Sequence, residues 1–162
     1  MTHSDEEMPE GANAATAEDA LELLRNDHRT IDGLLELLTT EGRGASDRHG
    51  LLSRLGALLR AHARIEDEIF YPALADRVEA GALRQAEAEH AQIATLLEAL
   101  AAVDPSRSGF DARALALAEA VRRHVTTEEN QLMPRSAGLD LQELGDRLAR
   151  RRAVLLTDLA VD

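Results

Sequence analysis

The sequence predicts an all-α protein: an antiparallel up-down-up-down four-helix bundle made of two duplicated helical hairpins, with an additional C-terminal helix. Three observations carry that expectation. Ala, Leu, Glu and Arg dominate the 162 residues, while the aromatics are two Phe, one Tyr and no Trp. That composition favours helix over sheet. Apolar residues recur at alternating steps of three and four from about residue 20 onward, the stripe by which a helix faces a core. Finally, residues 27–72 are repeated without a gap in residues 89–134.

Residues 1–16 are polar, small and acidic, and read as a disordered tail. The first helix carries Leu21, Leu24, His28, Ile31, Leu35 and Leu38, and a loop with Gly42, Gly44 and Ser46 follows. This places His49 in the loop, facing solvent, as His3 does in the tail. The second helix carries Leu51, Leu55, Leu58, His62, Ile65 and Ile69, with Pro72 near its end. The third carries Leu83, Ala86, His90, Ile93, Leu97 and Leu100, and stops at Asp104-Pro105. The fourth carries Leu117, Val121, His124 and Glu128, and ends near Pro134. Residues 17–135 thus form the bundle. Residues 136–162 form an amphipathic helix packed on it, with Leu141, Leu144, Leu148, Leu155 and Leu159 on one side. Its Arg147, Arg150, Arg151 and Arg152 read as a solvated face, with contact to an acidic partner as the alternative.

The repeat matches Leu21 with Leu83, His28 with His90, Ile31 with Ile93, His62 with His124, Glu66 with Glu128 and Pro72 with Pro134. Duplicated leucines follow from duplicated cores. Duplicated histidines and glutamates on an apolar stripe do not. A lone histidine there is an ordinary core residue with a hydrogen-bond partner, but here each of four helices contributes one. In His62-x-x-x-Glu66 and His124-x-x-x-Glu128, residues four apart share a helix face. Each pair therefore aims an imidazole and a carboxylate at one region of the core. Two buried carboxylates facing each other are unfavourable without a cation between them. Imidazole and carboxylate donors suit iron, manganese or zinc, and a carboxylate can bridge two ions. The ligand sets read as His28/His62/Glu66 and His90/His124/Glu128, with one or both glutamates bridging. Positions remain for an oxygen bridge and a small exogenous ligand.

Other residues have more than one reading. Asp32 follows His28 by four, but its repeat partner is Ala94. It is an extra ligand, an acceptor for an imidazole N–H, or an exposed acid. Asp27 and Glu89, each preceding a histidine, either orient imidazoles or are solvated charges. Phe70 either walls the site or packs in the core. Tyr71 is rotated away from the His62/Glu66 face of an ideal helix and is not assigned as a ligand, unless a break before Pro72 redirects it.

The absence of cysteine excludes disulfides, thiolate metal sites and thiol catalysis. A net charge of −12 argues against nucleic-acid binding. No apolar run reaches membrane-spanning length, and the N-terminus lacks a signal peptide's regions. The expected location is the cytoplasm.

Taken together, Asp27-His28, His62-x-x-x-Glu66 with Ile69-Phe70-Tyr71-Pro72, Glu89-His90, and His124-x-x-x-Glu128 with Pro134 resemble the hemerythrin-like, or HHE cation-binding, family. The resemblance spans about residues 20–134. It implies an up-down-up-down bundle holding two non-haem irons joined by an oxo or hydroxo bridge. It implies a protein that binds or reacts with oxygen, peroxide or nitric oxide. The alternative is a sensor of iron, oxygen or redox state, or an iron-centre repair protein, acting through a protein or redox partner. The chain departs from the oxygen-carrying branch at Ala94, where that branch has a second histidine, and at Glu128, where it has Asp. The cysteine-bearing segment common in the repair proteins is absent. A ferritin-like oxidase is disfavoured, because that family uses Glu-x-x-His pairs.

Overall fold

The computed structural model describes residues 18–40 and 42–159. The tail read at residues 1–16, with His3, lies outside them. Five long helices account for most of the described residues, which contain no strand: α1 (Ala20–Thr39), α2 (Ala45–Ile65), α3 (Ala80–Ala101), α4 (Gly109–Thr127) and α5 (Leu141–Leu159). None is long and apolar enough to cross a membrane.

The start of α1 follows from a capping box. Glu22 N–H donates to Asp19 Oδ1 at 2.9 Å, and Asp19 N–H donates back to Glu22 Oε2 at 3.4 Å. Gly42, at φ 85°, turns the chain, and α2 begins directly after Gly44. Ser46 and His49 are therefore helical rather than in the loop, although His49 is exposed as expected.

Both α2 and α4 widen at the same repeat position. Glu66–Phe70 and Glu128–Leu132 are π-helical turns, in which Tyr71 N–H reaches the Glu66 carbonyl and Met133 N–H reaches the Glu128 carbonyl. Pro72 and Pro134 follow at once. A proline cannot donate to the preceding turn, and its ring crowds the carbonyl four residues back, so a regular α-helix is disfavoured there. The chain continues through a single helical turn at Tyr71–Ala73 and a 3-10 turn at Met133–Ser136.

α1 packs on α2, α3 on α4, α1 on α4 and, less extensively, α2 on α3. The apolar stripes build two clusters. Ile31, Leu35 and Leu38 of α1 meet Leu52 and Leu55 of α2, Leu97 and Leu100 of α3, and Phe110 and Leu117 of α4. Ala20 and Leu24 of α1 meet Ile65, Phe70 and Tyr71, Ala86 of α3, Leu132 and Met133, and Leu144, Leu148 and Leu155 of α5. Early residues of α1 and α3 thus share a cluster with the end of α2 and with the turns that follow α2 and α4. On α1 and α3 the histidine lies between residues of the two clusters in sequence, and His62 and His124 follow the first-cluster residues of α2 and α4.

α5 covers α1 and α2. At Gly145 its backbone comes so close that a Cβ would lie 2.6 Å from the Glu18 carbonyl oxygen, so only glycine fits there. Two of its four arginines find acids within the chain. Arg151 Nε lies 2.7 Å from Glu68 Oε2, and Arg152 Nη2 lies 2.7 Å from Asp27 Oδ1. Contact with acidic groups is therefore partly internal.

Candidate metal centre

Every helix from α1 to α4 delivers one buried histidine to the layer between the clusters. Glu66 and Glu128 are 0 % exposed there. His28 Nε2 lies 3.1 Å from His62 Nε2, and His90 Nε2 lies 3.0 Å from His124 Nε2. Glu66 Oε1 is 3.0 Å from His62 Nε2 and 3.1 Å from His90 Nε2. Glu128 Oε1 is 3.1 Å from His28 Nε2, and its Oε2 is 3.4 Å from His124 Nε2. Each glutamate thus touches histidines of both hairpins. Two four-residue groups result: His28, His62, Glu66 and Glu128, and Glu66, His90, His124 and Glu128, each with donor atoms within 4.8 Å of one another. The histidines divide as the sequence suggests, while both glutamates belong to both groups.

Behind the imidazoles lies a ring of carboxylates. Asp27 Oδ2 is 3.0 Å from His62 Nδ1, Asp67 Oδ1 is 2.8 Å from His90 Nδ1, and Glu89 Oε2 is 2.5 Å from His124 Nδ1. Glu129 Oε1 lies 3.4 Å from His28 Nδ1, but without the alignment of a hydrogen bond. An ionised carboxylate only accepts, so the three paired Nδ1 atoms carry hydrogens and the Nε2 atoms face inward. Asp27 and Glu89 therefore orient imidazoles. Asp67 and Glu129 escaped the sequence reading, although each follows a ligand-position glutamate and they are related by the same repeat.

This donor set fits a pair of cations. Inward nitrogen lone pairs face one another at 3.0–3.1 Å, and the buried Glu66 Oε2 and Glu128 Oε1 have no hydrogen-bond partner. Such unmatched buried groups are unfavourable unless a cation or a proton sits between them. In the metal-free chain, protons take that role. Burial alone would pull the imidazoles down, but it is outweighed by Glu66 and Asp27 at His62, pushed up to about 10. Asp67 and Glu66 outweigh it at His90, pushed up to about 9, and Glu128 and Glu66 do so at His124, pushed up to about 11. Burial likewise raises Glu66, but the facing His62 charge holds it well below the usual carboxylate range.

Tyr71 does reach the site. Its hydroxyl donates to Glu128 Oε2 at 2.5 Å and lies 3.3 Å from His90 Nε2. Its ring stacks on His90 with centroids 5.5 Å apart. The π turn explains the departure from the ideal-helix expectation, because the wider turn brings the fifth residue rather than the fourth over Glu66. Burial and the charges of Glu66 and Glu128 push the phenol above its ordinary range, so it keeps its proton. The repeat places buried Met133 at the equivalent position.

Asp32 is neither ligand nor acceptor for an imidazole. It is 54 % exposed and pairs with Arg122 Nε at 2.7 Å. Phe70 packs in the apolar cluster beside Tyr71. A cavity of about 60 Å³ adjoins the histidines, lined by Ile31, Ile93, Ala94, Leu97, Val121 and Val125 among others. Arg60 is the one charged residue in its wall besides the four histidines.

The hemerythrin HHE cation-binding domain model matches residues 19–136. An uncharacterised protein of Mycobacterium tuberculosis, Rv2633c, is 26 % identical over 137 residues, covering 82 % of this chain and 84 % of that protein. A DNA nickase of Nostoc sp. is 30 % identical over 114 residues, 68 % of this chain but 31 % of the nickase. The crystal structure of a hemerythrin HHE cation-binding domain-containing protein from Mycobacterium kansasii, an Rv2633c homologue, superposes with a TM-score of 0.79 at 27 % identity. The match covers 87 % of this chain and 89 % of that one. With all six candidate ligand positions inside the matched span, the chain belongs to the hemerythrin HHE cation-binding family.

Proposed function

We propose that this chain is a cytoplasmic non-haem di-iron protein that binds or reacts with a small oxidant: oxygen, peroxide or nitric oxide. In this reading α1–α4 form an antiparallel up-down-up-down bundle over residues 17–135. His28, His62, His90 and His124, together with Glu66 and Glu128, would hold the two irons. The observation that carries the reading is the convergence of four inward Nε2 atoms on two fully buried carboxylates that each touch both hairpins.

Bound iron would supply one-electron chemistry toward the small ligand. The protein's own groups do the rest. Asp27, Asp67 and Glu89 fix the imidazole orientations and raise their donor strength. Glu66 and Glu128 supply negative charge where cationic charge changes. The Tyr71 hydroxyl keeps its proton and donates a hydrogen bond to Glu128 Oε2. The apolar cavity beside the histidines suits a small neutral ligand.

The test is the metal content of protein purified without a polyhistidine tag, with its near-ultraviolet spectrum in air and its rate of peroxide or nitric oxide loss. About two irons per chain, with absorption that disappears in His62→Ala, is the expected result. One zinc and a featureless spectrum would remove the redox reading. Manganese in the same site would change the metal and keep the ligand set.

A second reading, a sensor or iron-centre repair protein acting through a partner, rests on the Arg152–Asp27–His62 chain, which ties α5 to the site. Ligand-dependent proteolysis at α5 without turnover would select it.

A further inference from the structure

The two halves of the centre have unequal outer layers, and part of the inequality comes from α5. In the His90/His124 half, Asp67 and Glu89 accept from the imidazoles at 2.8 and 2.5 Å. Among the described residues no arginine pairs with either carboxylate. In the His28/His62 half, Asp27 accepts from His62 at 3.0 Å but also from Arg152. Arg152 Nε lies 2.9 Å from Oδ1 and 3.1 Å from Oδ2, and Nη2 lies 2.7 Å from Oδ1. The remaining carboxylate, Glu129, is as exposed as Asp67 but misaligned at 3.4 Å from His28. Arg152 lies outside the repeat, which ends at residue 134, so no symmetry-related arginine faces Glu89.

A carboxylate that accepts an imidazole N–H strengthens the other ring nitrogen as a donor, and its charge attracts the cation directly. A guanidinium on that carboxylate opposes both effects, because it competes for the same oxygens and adds a positive charge close to the metal. We infer that the centre fills in order, the His90/His124 half first and the His28/His62 half second, with Arg152 holding the second half to the weaker affinity. This rests on the two-cation reading above. Arg152 touches no ligand group and acts through Asp27, so it is a positioning residue. Its consequence is a centre whose second cation is the exchangeable one.

The experiment is a titration of the metal-free full-length chain with Co²⁺, read by visible ligand-field absorption and calorimetry. Two equivalents should bind with dissociation constants at least about tenfold apart, the lower end of what outer-layer partners command. Arg152→Met should tighten the second step several-fold and leave the first unchanged, and Arg152→Lys should restore most of the wild-type spacing. Asp27→Asn should move the second step the opposite way, weakening it. A purely structural role for the pair would shift both variants in one direction, which would overturn the inference. Should Arg152→Met lose helicity, Asp27→Asn decides alone: weakening confined to the second step supports the order, and weakening of the first step overturns it. A His28→Ala/His62→Ala double variant that loses the tight step would likewise reverse the assignment. Two cobalt ions bound with no response to either variant would overturn the order while leaving the two-cation reading intact. No bound cobalt would overturn both.

Discussion

The hairpins α1–α2 and α3–α4 share one chemical plan and differ in what surrounds it. Asp27 serves His62 within the first hairpin as Glu89 serves His124 within the second. Asp67 reaches across to His90, and Glu129 across to His28. Duplication thus reproduces the inner donors, the two π turns and the placement of the outer carboxylates, although Glu129 is not aligned to accept from His28. The differences lie at Tyr71 against Met133, Asp32 against Ala94, and in the arginine that only the first hairpin receives from α5. A duplicated fold therefore supplies a symmetric site, and single substitutions together with an unduplicated helix make its halves distinct.

The hardest test of the shared plan is to remove a shared donor. Glu66→Ala and Glu128→Ala should each empty both halves, taking metal content from about two ions per chain to well below one, because each carboxylate belongs to both groups. Loss of a single ion in either variant would break the equivalence of the two glutamates. Helicity measured alongside separates this from unfolding.

Next in size is pH. In the metal-free chain, His62, His90 and His124 have pKa values raised to about 10, 9 and 11. Their contribution to stability is fully present below the unfolded value near 6.5 and is lost as pH rises through about 9 to 11. Glu66 is shifted the other way, so its contribution is present above the unfolded value and is lost as pH falls through its depressed folded value. Urea midpoints of metal-free protein should therefore fall between pH 7 and pH 11. Metal needs the same nitrogens unprotonated, so its affinity should rise over that interval. A flat profile between pH 7 and pH 11 would contradict the buried ion pairing.

Smaller is the contrast between Tyr71 and Met133. Tyr71→Phe removes a hydroxyl that donates to a buried carboxylate and should destabilise by about 1.5–3 kcal/mol. Met133→Leu, at the equivalent buried position, should cost less than about 1.5 kcal/mol. Equal losses by urea denaturation would mean that the two sides do not differ as the hydrogen bond to Glu128 requires. Smallest of all, Asp32→Ala breaks one exposed ion pair and should change stability by at most about 1 kcal/mol with metal content untouched. A drop in metal content would return Asp32 to the site.

The helical stripes, the repeat and the six inward residues were legible in the chain itself. A helix turns by a constant angle, so residues at steps of three and four share a face whatever lies opposite. The same rule misplaced Tyr71, because it assumes α-helical turns throughout and the π turns before Pro72 and Pro134 break that assumption. It left Asp32 open because a position four after His28 does not reveal that Arg122 stands beside it on another helix. It was silent on Asp67 and Glu129, and it read Arg152 with its neighbours as a solvated face, because the partners of all three lie on other helices. Local periodicity determines which way a side chain points from its own helix. Which atom it meets depends on the relative register of packed helices, and that is set only when the whole core closes.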